Sequence, residues 1–204
     1  MSKKYTQLYV LFAVTFIVLS TVMPGPILVL MKIMPALLLA GLFWQRQKLM
    51  VLALCLCAAG DAFLHLDRQN YFIPGLVSFL IAHLIYVWHF WQKRTFNSTG
   101  IKAMAVPIFM AGLLAIKLLP HLGALTVPVL IYASAICAMG VAAALAGPRP
   151  GLGYLGALIF IISDSTIAWD KFIEPIPMAG LIIMITYYLG NYLIALGMLK
   201  LSEK

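Results

Sequence analysis

Long apolar runs, separated by only a few polar residues, constrain this chain more than any other feature. They fall at 7–23, 27–44, 49–66, 71–91, 101–119, 124–146, 152–169 and 177–199. Each approaches the ~20 residues that a helix rising ~1.5 Å per residue needs to cross a hydrocarbon core ~30 Å thick. No water is present there to pair with backbone N–H and C=O groups, so a spanning segment is an α-helix or a strand of a closed barrel. Barrel strands alternate apolar and polar residues with a period of two. These runs do not alternate, and the chain is therefore expected to be an all-α integral membrane protein, a bundle of eight transmembrane helices.

Composition excludes a water-soluble alternative. Hydrophobic residues fill 64% of the 204 positions and charged residues 10%, against roughly 45–50% and 25% in soluble domains. The joins are short, as at Gln45 to Lys48 and Gly147 to Gly151, so successive helices are expected to be antiparallel neighbours within one transmembrane domain over 1–204. Lys3 and Lys4 before the first run imitate a secretory signal. No small-residue cleavage site follows, and the run stops at Met23-Pro24-Gly25-Pro26, so it is read as the first span.

The formal charge of +8 does not point to nucleic acid, because the basic residues are scattered through the gaps and form no single patch. They sort by side. Lys3, Lys4, Arg46, Lys48, Lys93, Arg94, Lys102, Arg149, Lys200 and Lys204 share the side that holds both termini, while Arg68, Lys117 and Lys171 lie on the other. The positive-inside rule makes both termini cytoplasmic. A bacterial inner membrane is the expected location, or the endoplasmic reticulum in a eukaryote.

The halves also resemble one another. Asp61 and Asp67 recur as Asp164 and Asp170, and Gly75, His83 and Tyr86 match Gly180, Tyr188 and Asn191 at equal internal spacing. Segments 1–100 and 101–204 are thus candidate parallel repeats of four helices, related by an axis along the membrane normal.

An Asp near the centre of a span costs about 2.5–3.5 kcal/mol on insertion scales, so the few ionisable residues inside the runs carry most of the functional information. Asp61 and Asp164 each precede the non-cytoplasmic end of a span, and Lys32 enters the second span from that side. Residues three or four apart share a helix face, which groups Asp61 with His65, His83 with Tyr86, and Tyr187 or Tyr188 with Asn191. Inward-facing, they would line a polar chamber. Simpler roles exist for all of them: Asp61 or Asp164 could merely neutralise Lys32 as a buried pair, and His83 could be an interhelical hydrogen-bonding group. Asp67, Asp170, Lys171 and Glu174 suit a solvated rim, whereas His65, His89, Trp44, Trp88, Trp91 and Trp169 suit interfacial anchors. Cys55, Cys57 and Cys137 fit no metal-ligand spacing and read as small apolar residues.

Taken in order, Gly60-Asp61 with Phe72, Gly75, Phe79, His83 and Tyr86, then Ser163-Asp164-Ser165 with Asp170-Lys171-Phe172, resemble the YhhN-like family of membrane lysoplasmalogenases. Lys32 and Pro35 resemble that family's Lys-Pro element, with Ile33-Met34 intervening. Tyr187-Tyr188 with Asn191 resembles its closing Tyr-Tyr motif, in which a Gln often stands where Asn191 is here. The resemblance implies hydrolysis of the vinyl ether bond of a lysophospholipid substrate drawn from membrane lipid, releasing a fatty aldehyde and glycerophosphocholine or glycerophosphoethanolamine.

That chemistry suits these residues. A vinyl ether resists base but accepts a proton on its β-carbon, and water captures the resulting oxocarbenium ion. Two poorly solvated carboxyls could supply the proton and the balancing charge, much as in glycoside hydrolysis. Asp61 and Asp164 are the expected catalytic pair, in either order. Lys32, His83, Tyr86, Ser163, Tyr187, Tyr188 and Asn191 are expected to bind substrate or support the pair. The scheme needs no cofactor and no metal, and nothing in the sequence fixes an oligomeric state. The alternative is a small multi-pass transporter with a mid-membrane polar site.

Overall fold

The computed structural model describes residues 3–23 and 25–202. The chain is 85% helical, and among the described residues eight helical segments are long and apolar enough to cross a membrane, so it is an all-α multi-pass membrane protein. In order these are α1 (Lys3–Val22), α2 (Val29–Phe43), α3 (Lys48–Leu66), α4 (Phe72–Gln92), a fifth span made of α5 (Ser98–Ala103) and α6 (Ala105–Leu118), then α7 (Thr126–Leu145), α8 (Leu152–Phe172) and α9 (Ala179–Ser202). The break expected at Met23-Pro24-Gly25-Pro26 is followed by a short 3₁₀ turn at Pro26–Leu28, while Pro24 itself lies outside the described residues, as does Lys204.

The fifth span differs from the single helix expected over 101–119. It is split at Met104, and Pro107 supplies the reason. Proline has no N–H to offer the carbonyl four residues earlier, here Ala103. The Tyr154 hydroxyl donates to that carbonyl instead, at 2.8 Å. Asn97 starts the span by accepting the Gly100 N–H at 2.8 Å, an N-cap bond that satisfies one of the first-turn donors.

Two compact units divide the chain, residues 1–86 and 87–204. In the first, α2 packs against both α1 and α3, burying Phe43, Leu39, Met50, Leu54 and Cys57. Helices α3 and α4 meet through two glycines. The Phe79 ring lies where a Cβ on Gly60 would be, 2.6 Å from that point, and Leu64 stands 2.9 Å from the equivalent point on Gly75.

In the second unit the most extensive contact joins α8 to α9, and again glycine makes it. A Cβ on Gly156 would stand 2.6 Å from the Ile194 backbone nitrogen and 2.8 Å from the Gly190 carbonyl oxygen. Further along the seam Gly197 rests directly on Gly153. Lipid tails are as apolar as leucine, so helices in a membrane gain little from burying apolar surface and associate through close packing, which small residues permit. At one end of this unit Thr95 N–H donates to the Leu145 carbonyl at 2.8 Å, Gly147 N–H to the Lys93 carbonyl at 2.9 Å, and the Thr95 hydroxyl to the Gly147 carbonyl. Gly147 has φ 84°, left-handed backbone that glycine adopts without a steric penalty.

The seam sets an expectation for stability. Gly156→Val places branched carbons against fixed backbone and should destabilise the detergent-solubilised protein by about 2–3 kcal/mol or more, the usual range for overpacking. Gly180→Ala, where nothing lies within 4 Å of the added carbon, should leave the melting temperature in a thermal unfolding assay near that of the parent.

Candidate active site

In the first unit two oppositely charged groups inside apolar spans have found each other. Lys32, one turn into α2, is 8% exposed, and Asp61, near the end of α3, is 3% exposed. The Lys32 ammonium lies 3.5 Å from Asp61 Oδ1 and donates to the Asp61 backbone carbonyl at 3.3 Å. Isolated, either charge would be costly at this depth; together they offset much of one another's desolvation. Pro35, inside α2, has no N–H for the Met31 carbonyl, a local weakening of the helix one turn from Lys32.

The first unit holds further buried polar groups. His83 and Tyr86 on α4 are both 0% exposed, their rings 6.3 Å apart. The Tyr86 hydroxyl lies 3.6 Å from Cys57 Sγ. Cys57 therefore packs as a buried apolar residue and also serves as a weak hydrogen-bond partner. His65 is not the interfacial anchor expected for it: Nε2 stands 2.9 Å from the Gly25 carbonyl and its ring meets Phe16 edge-on at 5.8 Å. The ring ties the end of α3 to the chain entering α2.

The second unit holds Asp164 and its neighbours. Asp164, half-buried on α8, accepts a short hydrogen bond from the Tyr132 hydroxyl on α7. Ser163, fully buried beside it, donates to the Ile183 carbonyl of α9 at 3.1 Å. Asn191 Nδ2 donates to the Tyr187 carbonyl one turn back, at 3.4 Å. The rings of Tyr187 and Tyr188 lie 5.4 Å apart, and Phe160 packs edge-on against Tyr187 at the same distance. These contacts bind α8 to α9 on the face that carries Ser163.

Tyr132 was not singled out from the sequence. One signal was available: a phenol inside an apolar span needs a hydrogen-bond partner, and few acceptors exist at that depth. Two of the tryptophans expected at the interfaces carry a cation over the ring. Trp44 and Trp91 are exposed and stack under Lys48 and Arg94, with the cation 4.5 and 4.7 Å from the ring centre.

Asp67 and Asp170 close turns. Asp67 Oδ1 accepts the Gln69 and Asn70 N–H groups, both at 2.9 Å, and Oδ2 accepts Asn70 Nδ2 at 2.7 Å. Asp170 accepts the Ile176 N–H at 3.1 Å. Among the described residues no three His, Cys, Asp or Glu side chains are arranged to hold a metal ion.

The YhhN family model matches residues 27–198. The chain is similar to lysoplasmalogenase TMEM86B of Homo sapiens, 35% identical over 181 residues, which are 84% of this chain and 75% of that protein. It is similar to lysoplasmalogenase TMEM86A of Bos taurus, 36% identical over 155 residues, covering 72% of this chain and 63% of that one. A lysoplasmalogenase of Mycobacterium tuberculosis is 35% identical over 136 residues, 63% of this chain and 52% of its own length. No solved structure matches.

A pH dependence follows from the Asp67 turn. The hydrogen bonds from Asn70, backbone first and then side chain, hold the Asp67 carboxyl below its ordinary value. A carboxyl more acidic in the folded than in the unfolded chain contributes stability that is complete above the ordinary carboxylate range and is lost as pH falls through the lowered folded value. Asp67→Asn should flatten the acid limb of the pH–stability profile between those limits, read by thermal unfolding in detergent across an acid pH series.

Proposed function

This chain belongs to the YhhN family, and we propose that it is a lysoplasmalogenase, as its relatives are named, cleaving the vinyl ether bond of lysoplasmalogens to a fatty aldehyde and a glycerophospho headgroup. The observation that carries this reading is Asp61, a carboxyl 3% exposed inside an apolar span with the Lys32 ammonium 3.5 Å away. A membrane helix retains such a group at a cost, and ionisable residues at this depth are a mark of function.

The proposed roles follow from the partners of each carboxyl. Asp164, half-buried and held in place by the Tyr132 hydroxyl, is the general acid. That proton passes to the β-carbon of the vinyl ether, whose π pair becomes the new C–H bond, and an oxocarbenium ion forms across the α-carbon and ether oxygen. Asp61, its charge balanced by Lys32, stabilises the cation and takes a proton from water as the water oxygen bonds to the α-carbon. The hemiacetal then breaks between that carbon and the glycerol oxygen. The hemiacetal hydroxyl becomes the aldehyde, the glycerol oxygen gains a proton, and the proton held by Asp61 restores the acid.

In the same proposal Lys32 also meets the substrate phosphate, and His83, Tyr86, Ser163, Tyr187, Tyr188 and Asn191 shape the space for substrate and water. The location proposed is a bacterial inner membrane with both termini cytoplasmic, from the excess of Lys and Arg on that side.

Asp61→Asn and Asp164→Asn should each lower aldehyde release from a purified lysoplasmalogen by about 100-fold or more, the scale of a lost acid or base. Tyr132→Phe should give a smaller loss, about tenfold, in kcat with KM little changed. Detergent extraction should stay near the parental value in all three, and activity is compared per folded protein, because Asp61→Asn removes the counter-charge of the buried Lys32 ammonium and should lower the melting temperature. Full activity in either Asp variant contradicts the assigned roles.

A further inference from the structure

A second site is present at the far end of the 87–204 unit from Asp164. A cavity of about 640 Å³ opens there, lined by the α7–α8 connection from Ala146 to Gly151, the first turn of α8, the last turns of α9, and Phe90. This volume lies within the range of sites that hold small ligands. Along α8, Leu152 at the cavity and Asp164 are twelve residues apart, which at ~1.5 Å per residue is about 18 Å. The cavity is therefore separate from the carboxyl.

Its lining is divided by chemistry. Leu152 and Leu201 supply apolar wall, and Arg149 and Lys200 supply two exposed cations. No acidic side chain among the described residues lines it. Lys93, Arg94 and Lys102 stand at the same end of the unit, whose connections are clipped together by the Thr95–Leu145 and Gly147–Lys93 hydrogen bonds. Trp88 and Trp91, both exposed, mark this end as the level of the membrane–water interface. The floor is held open by fixed backbone: Gly147 is left-handed, and a Cβ there would meet Leu201 at 3.1 Å.

We infer that this cavity binds an anionic phospholipid, its phosphate between Arg149 and Lys200 and the upper part of an acyl chain against Leu152 and Leu201. A basic pocket between transmembrane helices at the interface is the arrangement that recognises anionic headgroups. The apolar wall distinguishes the occupant from a free anion. A soluble phosphate could use the two cations but would leave that wall uncovered, whereas a zwitterionic lipid would use the wall and gain little from the cations.

The test uses the full chain, purified in detergent and delipidated, titrated with dioleoyl phosphatidylglycerol while the one-to-one adduct is followed by native mass spectrometry. Dioleoyl phosphatidylcholine and inorganic phosphate are the comparison arms. Phosphatidylglycerol should bind in preference to both, and more weakly as salt is raised. R149Q/K200Q should bind it about thirtyfold more weakly, each cation contributing about a factor of five at a membrane surface. R149K/K200R, which keeps both charges, should bind as the parent does and so separates lost charge from lost structure. Equal binding of phosphatidylcholine, displacement of the lipid by inorganic phosphate at matched concentration, or undiminished binding by R149Q/K200Q would each overturn the inference.

Discussion

Inside hydrocarbon a polar group has only the protein to pair with, and the internal geometry of both units follows from that requirement. Lys32 reaches Asp61 on the next helix. The Ser163 hydroxyl donates a hydrogen bond to the Ile183 carbonyl, Tyr132 to Asp164, and Tyr154 to the Ala103 carbonyl that Pro107 cannot serve. In water each of these bonds would be exchanged for solvent at little net gain. At depth the alternative is an unmet group, so the bonds fix which helices lie side by side and in what register.

Glycine makes that pairing geometrically available. Helices α8 and α9 come close enough for backbone to touch backbone at Gly156 and Gly190, and on α3 the absence of a side chain at Gly60 lets the Phe79 ring of α4 rest against the helix backbone. Gly60 directly precedes Asp61, and Phe160, which stands against Gly190, precedes Ser163 and Asp164 by about one turn. Close packing thus holds the segments that carry the polar groups, and rigid elements position reacting groups more accurately than loops do. The chemistry proposed for the carboxyls requires this, because an oxocarbenium ion is short-lived and its water must already be placed.

The membrane fold was legible in the sequence because hydrocarbon thickness imposes a length that composition alone reveals. All eight spans lie close to the runs that announced them, although α1 begins at Lys3, a turn before the apolar run at residue 7, since a helix continues into the interface beyond its apolar part. The split at Met104 was not legible. Pro107 was visible, but whether a proline kinks a span, breaks it or is tolerated depends on what satisfies the freed carbonyl, and Tyr154 lies 51 positions away from Ala103 in sequence. The candidate site divides similarly. Depth in a span marked Lys32, Asp61 and Asp164 as unusual. Their partners were less accessible: the sequence left Lys32 to pair with either Asp, passed over Tyr132 as one more aromatic residue, and grouped His65 with Asp61 on helical spacing, although its ring turns to the Gly25 carbonyl. Residue spacing within a helix reports a shared face, not the neighbouring helix that the face meets.

In the proposed reaction a side-chain acid delivers a proton to carbon while water adds to the neighbouring carbon. Isotopes read both events in one experiment: the purified protein turns over a lysoplasmalogen in D₂O enriched in ¹⁸O, the aldehyde is trapped by reduction as it forms, and both products are weighed by mass spectrometry. The account requires a deuterium on the carbon next to the former aldehyde carbon and an unlabelled glycerol oxygen. Heavy oxygen in the glycerol product, or no deuterium bound to carbon, would contradict it.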